Sequence, residues 1–244
     1  MKAINKKNQV RKILLMPIEV ISHSNFICKY QNKIYSGQSY SSGFDPDMSD
    51  FAVGFYEILY KNIIPENHLL TSNGQLINEN FDGDTMNSFK YIANQIIEEK
   101  NKLGELENNW QKYLLNYYNN YHCLANFWLV PMKVGRTITR YSKGNRRYQD
   151  YMDQYLNYLY ENWDTLKREE YFDQFTSWQD FVNQHFLYKS YIKENYQVNN
   201  YSSSKNPEEI IFRMTKMIEE RAESIASSNF CEELYAYFEK CGLI

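Results

Sequence analysis

Lys133, Arg136, Arg140, Lys143, Arg146 and Arg147 crowd into residues 132–149, a stretch that contains no Asp or Glu. Across all 244 residues the balance runs the other way, with 30 acidic side chains against 27 Lys and Arg and a net charge of -3. A local positive field on an acidic background attracts either an anionic ligand or the chain's own carboxylates. Arg136, Arg140 and Lys143 stand near helical spacing, while Arg146 and Arg147 follow Gly144-Asn145. Trp128, Tyr141 and Tyr148 lie before and among them. Cations interleaved with aromatic rings neutralise phosphates and stack on bases or sugars, so the ligand expected here is nucleic acid or another phosphate-bearing molecule. The competing partners are Asp150, Asp153, Glu161 and Asp164, close by in the chain.

Other combinations carry less chemistry. Asp82-Gly83-Asp84-Thr85 has the paired carboxylates that hold magnesium in phosphoryl-transfer sites. Asp84 or Thr85 is instead read as the N-cap of a helix bearing Met86, Phe89, Ala93, Ile96 and Ile97 and ending at Gly104. Glu98-Glu99-Lys100 has nuclease-like E-x-K spacing, but on a helix it reads as an i, i+4 charge network. The four histidines, His23, His68, His122 and His185, show no zinc-ligand spacing, and His185 is expected to be a hydrogen-bonded core residue. No P-loop, G-x-G-x-x-G or G-x-S-x-G occurs, so no metal or cofactor site is expected. Cys28, Cys123, Cys231 and Cys241 form no C-x-x-C pair, which reads as reduced thiols in a cytoplasmic protein. No apolar run approaches a membrane span, and Pro17 and Glu19 interrupt the apolar stretch near the N-terminus before it can serve as a signal.

The elements that must position these residues follow from periodicity. The first forty-odd residues read as extended, with residues 25–30 and 33–37 flanking Gln31-Asn32 as a β-hairpin. Ser49 opens a helix with Phe51, Phe55, Ile58 and Leu59 on one face, stopped by Pro65. Residues 66–81 read as a surface loop with a turn at Asn73-Gly74. Leu106, Trp110, Tyr113, Leu114 and Tyr117 mark a further helix. Residues 124–130 are either a buried strand or a helix end. Tyr148, Tyr151, Met152, Tyr155, Leu156, Leu159 and Trp163 mark another helix, and Ser177 with Asp180 forms a capping box before Phe181, Val182, His185 and Phe186. Asn206-Pro207 starts a helix bearing Ile210, Ile211, Met214, Met217 and Ile218, and residues 230–240 close the chain as a last helix. With only 9 Gly and 5 Pro, a turn-dense β fold is excluded. The expected fold is mainly α (α+β). It comprises a mostly helical domain over residues 1–200, with an N-terminal β element, and a C-terminal helical pair over residues 205–244. Tyr201-Ser202-Ser203-Ser204 is the linker that sets this pair off, and the pair packs on the same core.

Gly83-Asp84-Thr85-Met86-Asn87-Ser88-Phe89, the helix over residues 55–64 and Leu124-Ala125-Asn126-Phe127-Trp128-Leu129-Val130-Pro131 together resemble an uncharacterised bacterial family known only as a domain of unknown function. The likeness spans roughly residues 45–195 and implies no activity. Residues 124–131 with the cations after them also look like the rear half of an HNH nuclease domain of modification-dependent restriction enzymes. In that family a Gly-Asn pair opens a hydrophobic strand and a basic helix follows. Here Ala125 replaces the glycine and Asn126 matches the asparagine. The acidic residue and histidine of the front half are missing, with no histidine between His68 and His122. The resemblance therefore implies a phosphate-facing scaffold that has lost catalysis, in phage defence or counter-defence.

Two other functions follow from the same residues. A protein-binding inhibitor or regulatory module would exploit a surface rich in the chain's 23 tyrosines. A surviving metal-dependent nuclease would use His122, with Asn126 beside it, and distant carboxylates.

Overall fold

A computed structural model describes residues 2–18, 27–30, 33–36, 47, 49–63, 71–72, 75–76, 81–87, 116–117, 120–131, 151–204 and 206–244. The described residues are mainly helical with small antiparallel strand pairs, an α+β arrangement. They fall into two compact units that interleave along the chain. One gathers the described residues of Met1–Thr85, His122–Lys133 and Arg221–Ile244, the other those of Met86–Tyr121 and Val134–Glu220. The division does not follow the serine run at residues 202–204. Tyr201 there is fully buried, and the Ser202 N–H is bonded to Asp153.

The first unit begins with a helix where the sequence reads as extended: α1 (Lys2–Leu14) forms because Val10, Ile13 and Leu14 recur at three- and four-residue spacing and are buried together. The hairpin expected around Gln31-Asn32 forms from β1 (Ile27–Tyr30) and β2 (Lys33–Ser36), with Tyr30 opposite Lys33. Its two turn residues lie outside the described set. Helix α2 (Asp50–Leu59) starts where the sequence predicts, its Ser49 Oγ accepting the Ala52 N–H at 3.2 Å. Phe51, Ala52, Val53, Phe55, Tyr56, Ile58 and Leu59 are all buried, so α2 is enclosed on nearly every side. Strands β3 (Thr71–Ser72) and β4 (Gln75–Leu76) pair on either side of Asn73-Gly74, whose own placement is not described.

At residues 81–85 the expectation fails. The sequence reads Phe81 as loop and Asp84-Thr85 as the cap of a helix, but Phe81–Thr85 is a strand, β5. It pairs antiparallel with β6 (Phe127–Pro131), with Asp84 opposite Trp128 and Thr85 opposite Phe127. The Thr85 hydroxyl donates to Asp47 Oδ2 at 2.7 Å instead of capping a helix. Asp-Gly-Asp carries the local signature of a turn or cap. A backbone partner far along the chain overrides that preference by taking up the ladder hydrogen bonds. The rest of the expected helix, including Phe89, Ala93, Ile96 and Ile97, lies outside the described residues, as do Glu98-Glu99-Lys100, the Gly104 cap and the positions from Leu106 to Leu114. The alternative left open at residues 124–130 is decided in favour of a strand, entered through a short 3-10 turn at Leu124–Asn126.

Helix α7 (Pro207–Ala226) brings its last turns, from Arg221 onward, to this unit, and α8 (Cys231–Lys240) closes it. α8 packs on α1, α2 and β1, while α2 also meets β2, β4 and β6. Tyr237 stacks on Phe51 at 5.5 Å between ring centroids, and its hydroxyl donates to the Phe51 carbonyl at 3.1 Å.

The second unit contains α3 (Met152–Glu161), α4 (Trp163–Leu166), α5 (Glu170–Asp173), α6 (Trp178–Gln184) and the start of α7. Ser177 caps α6 as predicted, its Oγ accepting the Asp180 N–H, and Asn206 Oδ1 accepts the Glu208 N–H in the first turn of α7. Trp163 meets Phe172 and Trp178 edge to face, Phe175 meets Phe181 the same way, Trp178 stacks on Phe181, and the buried His185 joins them. Its Nε2 lies 3.0 Å from the Tyr171 hydroxyl, the satisfied core histidine that the sequence predicts.

Gly83 has no room for a side chain. A Cβ built there would stand 2.0 Å from the Asp47 carbonyl oxygen and 3.1 Å from the Tyr56 hydroxyl. Gly83→Ala should therefore destabilise the protein by about 3 kcal/mol or more, because backbone must move to admit one methyl group. Urea unfolding measures this directly, and a midpoint equal to that of the wild type would refute the close approach.

Candidate functional site

The six cations of residues 133–147 lie outside the described residues, as do Tyr141, Tyr148 and Asp150. Their neighbours along the chain are described, and some of them change role. Trp128 is buried in β6, so it belongs to the core and offers no ring to a ligand. His122 is half-buried. Its carbonyl accepts the Ile18 N–H at 2.8 Å and its ring meets Phe127 edge-on at 6.3 Å. Asn126 is fully buried within the 3-10 turn, its N–H donating to the Cys123 carbonyl at 2.9 Å. A side chain so enclosed cannot reach a substrate from solvent. Of the two candidate catalytic positions, only His122 has solvent access.

What the fold builds around Asn126 centres on a residue that sequence reading passed over. Arg221 on α7 is fully buried. One guanidinium nitrogen donates to the Ala125 carbonyl at 2.7 Å and the Phe127 carbonyl at 2.9 Å. The other donates to the Tyr60 hydroxyl at 3.0 Å. Tyr60 in turn is hydrogen-bonded to the backbone of Leu129. Backbone polar groups at positions 125, 127 and 129 of the β6 segment are thereby occupied by side chains. An edge strand left open would invite pairing with another chain, and here an Arg–Tyr pair closes it. The planar fork of arginine suits this task because several donors leave one rigid head group.

Carboxylates surround the same region. Asp47 and Asp84 are both buried. The Tyr56 hydroxyl donates to the Asp47 carbonyl at 2.9 Å. Burial pushes the Tyr56 phenol well above its ordinary range, the charges of Asp47 and Asp84 push it further, and Arg221 pulls it down. Burial likewise raises Tyr60, against the pull of Arg221. Asp47, Asp84 and Arg221 thus form a buried field of mixed sign in which both phenols stay protonated. Such an arrangement fixes structure. Among the described residues no three His, Cys, Asp or Glu side chains gather as metal ligands.

In the second unit the buried polar hub is Asn87. Its Nδ2 donates to the Tyr191 hydroxyl at 2.9 Å, its Oδ1 accepts from the Tyr201 hydroxyl, and its carbonyl accepts from the Tyr117 hydroxyl at 2.8 Å. The Tyr201 hydroxyl also accepts the Met152 N–H at 3.0 Å. Beside it, Asp153 accepts the Ser202 N–H at 2.8 Å and the Gln154 N–H at 3.0 Å. Burial lifts the Asp153 carboxyl above its ordinary value of 3.8, opposed by those hydrogen bonds. Asp153 was one of the expected counter-charges to the basic segment, yet both its oxygens serve the backbone of its own unit. Glu161 and Asp164 are exposed and form no ion pair among the described residues.

Arg221 and Asn87 both escaped sequence reading. Arg221 had a detectable signal, for it falls on the apolar stripe of Met214, Ile218 and Ile225, where a charge is out of place. Asn87 had none. Comparison with known proteins adds no relatives: no family model, no curated protein and no solved structure matches the chain.

Two consequences can be measured. Arg221→Met keeps the volume but strands two carbonyls and a phenol, and should cost about 3 kcal/mol or more, whereas Tyr60→Phe should cost about 1 kcal/mol. Urea midpoints check both, and an Arg221→Met protein as stable as the wild type would remove the clamp from the account. For Asp153 the folded-state pKa lies above the unfolded one, so the native state holds this proton more tightly. The stability tied to it is present below about 3.8 and is lost as pH rises through the folded value. The wild type should therefore gain stability relative to Asp153→Asn as the pH falls from about 7 to about 4. A difference that stays constant with pH contradicts this.

Proposed function

We propose that this chain binds nucleic acid, or another phosphate-bearing ligand, without catalysis, through Lys133, Arg136, Arg140, Lys143, Arg146 and Arg147. The supporting observation is six cations with no carboxylate among them, in a chain of net charge -3. Asp153, the nearest described acid after them, is buried and already hydrogen-bonded to Ser202 and Gln154. The competing reading, in which neighbouring acids neutralise the segment, loses that partner. Phosphate recognition by clustered Arg and Lys is a sequence-independent electrostatic effect, so it requires no active-site geometry.

The non-catalytic reading is supported by the HNH resemblance, whose front half is missing here, and by the burial of Asn126. The position matching the nuclease asparagine is enclosed, and the carbonyls on either side of it are held by Arg221. A role in phage defence or counter-defence rests on that resemblance alone. The alternative, a regulatory module working through a Tyr-rich surface, has less support than composition implied. Tyr56, Tyr60, Tyr117, Tyr155, Tyr171, Tyr191, Tyr201 and Tyr237 are all buried, so much of the tyrosine content builds core.

Fluorescence anisotropy with single-stranded DNA, duplex DNA and RNA across a salt series tests the proposal. Log affinity should fall linearly with log salt, by about 0.7 to 0.9 for each phosphate neutralised. Replacing Arg136, Arg146 and Arg147 by Ala should weaken binding to all three probes and flatten the slope by about 3. Binding that ignores both salt and these substitutions, or no binding at low salt, overturns the reading. Incubating the same probes with magnesium, manganese or zinc should leave them uncut, and cleavage would return His122 to the list of catalytic candidates.

A further inference from the structure

Helix α1 carries Lys2, Lys6, Lys7, Arg11 and Lys12 and not one carboxylate. Its apolar side, Val10, Ile13 and Leu14, is buried in the first unit, and Asn5, Asn8 and Lys12 are exposed. Lys12 forms no ion pair among the described residues. Lys7 and Arg11 both pair with Glu223 of α7, Arg11 at 3.3 Å, and Lys6 pairs with Glu232 of α8 at 2.5 Å. All five of these paired groups keep between 36% and 69% of their side-chain surface in solvent.

From this arrangement we infer that α1 is a second binding site for a nucleic-acid phosphate backbone, held partly neutralised by Glu223 and Glu232. Four described cations, Lys6, Lys7, Arg11 and Lys12, face two glutamates, so the helix keeps a surplus of positive charge even with every pair made. Exposed ion pairs of this kind are weak, because water screens them and the long side chains lose freedom in making them. A phosphate can replace a glutamate as partner without disturbing the fold, since the helix is anchored by its apolar side. Lys7 and Arg11 stand four residues apart, about 6 Å along the axis, so each can address its own phosphate. Asn5 and Asn8 add uncharged donors of the kind that contact phosphate and sugar oxygens. A bilayer is the other common partner of a basic amphipathic helix, but it requires the apolar face to be free, and here that face is core. The site does not depend on residues 133–147.

The test measures binding of a short labelled single-stranded DNA, and of a duplex of the same sequence, to the full chain at low salt. Three variants are compared with the wild type: Glu223→Gln with Glu232→Gln, Lys12→Gln alone, and Asp164→Asn with Asp173→Asn. The last makes the same net-charge change at exposed carboxylates of the second unit. Each is also made in a background with Arg136, Arg146 and Arg147 replaced by Ala. Removing Glu223 and Glu232 should tighten binding about threefold or more in both backgrounds, and Lys12→Gln should weaken it. The Asp164/Asp173 control should do much less. Thermal unfolding checks that each variant remains folded. Equal effects from the two glutamine/asparagine pairs, or no effect of the Glu223/Glu232 pair in either background, overturns the inference. So does preference for an acidic polypeptide over DNA at matched charge. Loss of binding on replacing the three arginines alone bears on the basic segment and leaves α1 to be judged by its own variants.

Discussion

A fully buried guanidinium organises the first unit. Removing arginine from water is costly, and the cost is met only where its donors find partners of good geometry. Arg221 finds the Ala125 and Phe127 carbonyls and the Tyr60 hydroxyl. These contacts fix the angle at which the last turns of α7 cross the entrance to β6, and they tie the loop after α2 to the same point. β6 needs this help because, among the described residues, its ladder partner is β5 alone, a strand interrupted by Gly83. A two-stranded ribbon is marginal by itself. Asp47 is pressed against the face of the ribbon at Gly83, and Arg221 holds a carbonyl on the edge of β6.

The second unit solves a similar problem without charge. Asn87 sits among Tyr117, Tyr191 and Tyr201, each phenol bringing a large apolar ring together with one hydrogen bond for the amide or its backbone. Tyrosine is suited to such a core because its polar atom is at the far end of a rigid group and can be satisfied deep inside. A share of the tyrosine content, eight buried side chains among the described residues, is therefore a packing property. Phenols held by burial above their ordinary range, as at Tyr201 and Tyr56, stay protonated and remain donors. The network also explains why the serine run after Tyr201 is no slack linker. Tyr201 and Ser202 are each bonded back to the start of α3.

Local signals accounted for most of the described helices but not α1. Ser177 and Asn206 each cap the element they were expected to cap, α2 begins at Ser49 where the pattern turns helical, and the apolar spacing of α2, α3 and α7 matches the faces that are buried. The hairpin around Gln31-Asn32 was also legible, because turn chemistry acts over a few residues, whereas residues 66–81 read as a loop with a turn and the short strands on either side of Asn73-Gly74 were missed. The reading failed at Asp82-Gly83-Asp84-Thr85. The same four residues suit a helix cap, a turn or a metal-binding pair, and the choice among them was made by residues 127–131. Asp84 is buried opposite Trp128, a pairing that no window around Asp84 contains.

The sequence by itself determined the fold class, the helix boundaries set by caps and periodicity, and the concentration of positive charge in residues 133–147 and in α1. Each of these depends on neighbours within a turn or two, where backbone geometry and side-chain type suffice. Only the tertiary structure decided which polar residues are spent on architecture. Arg221 is a clamp, Asn126 is core and Asp153 is committed to Ser202. Burial and hydrogen-bond partners come from segments distant in the chain, so the availability of a charge for a ligand is a property of the folded state.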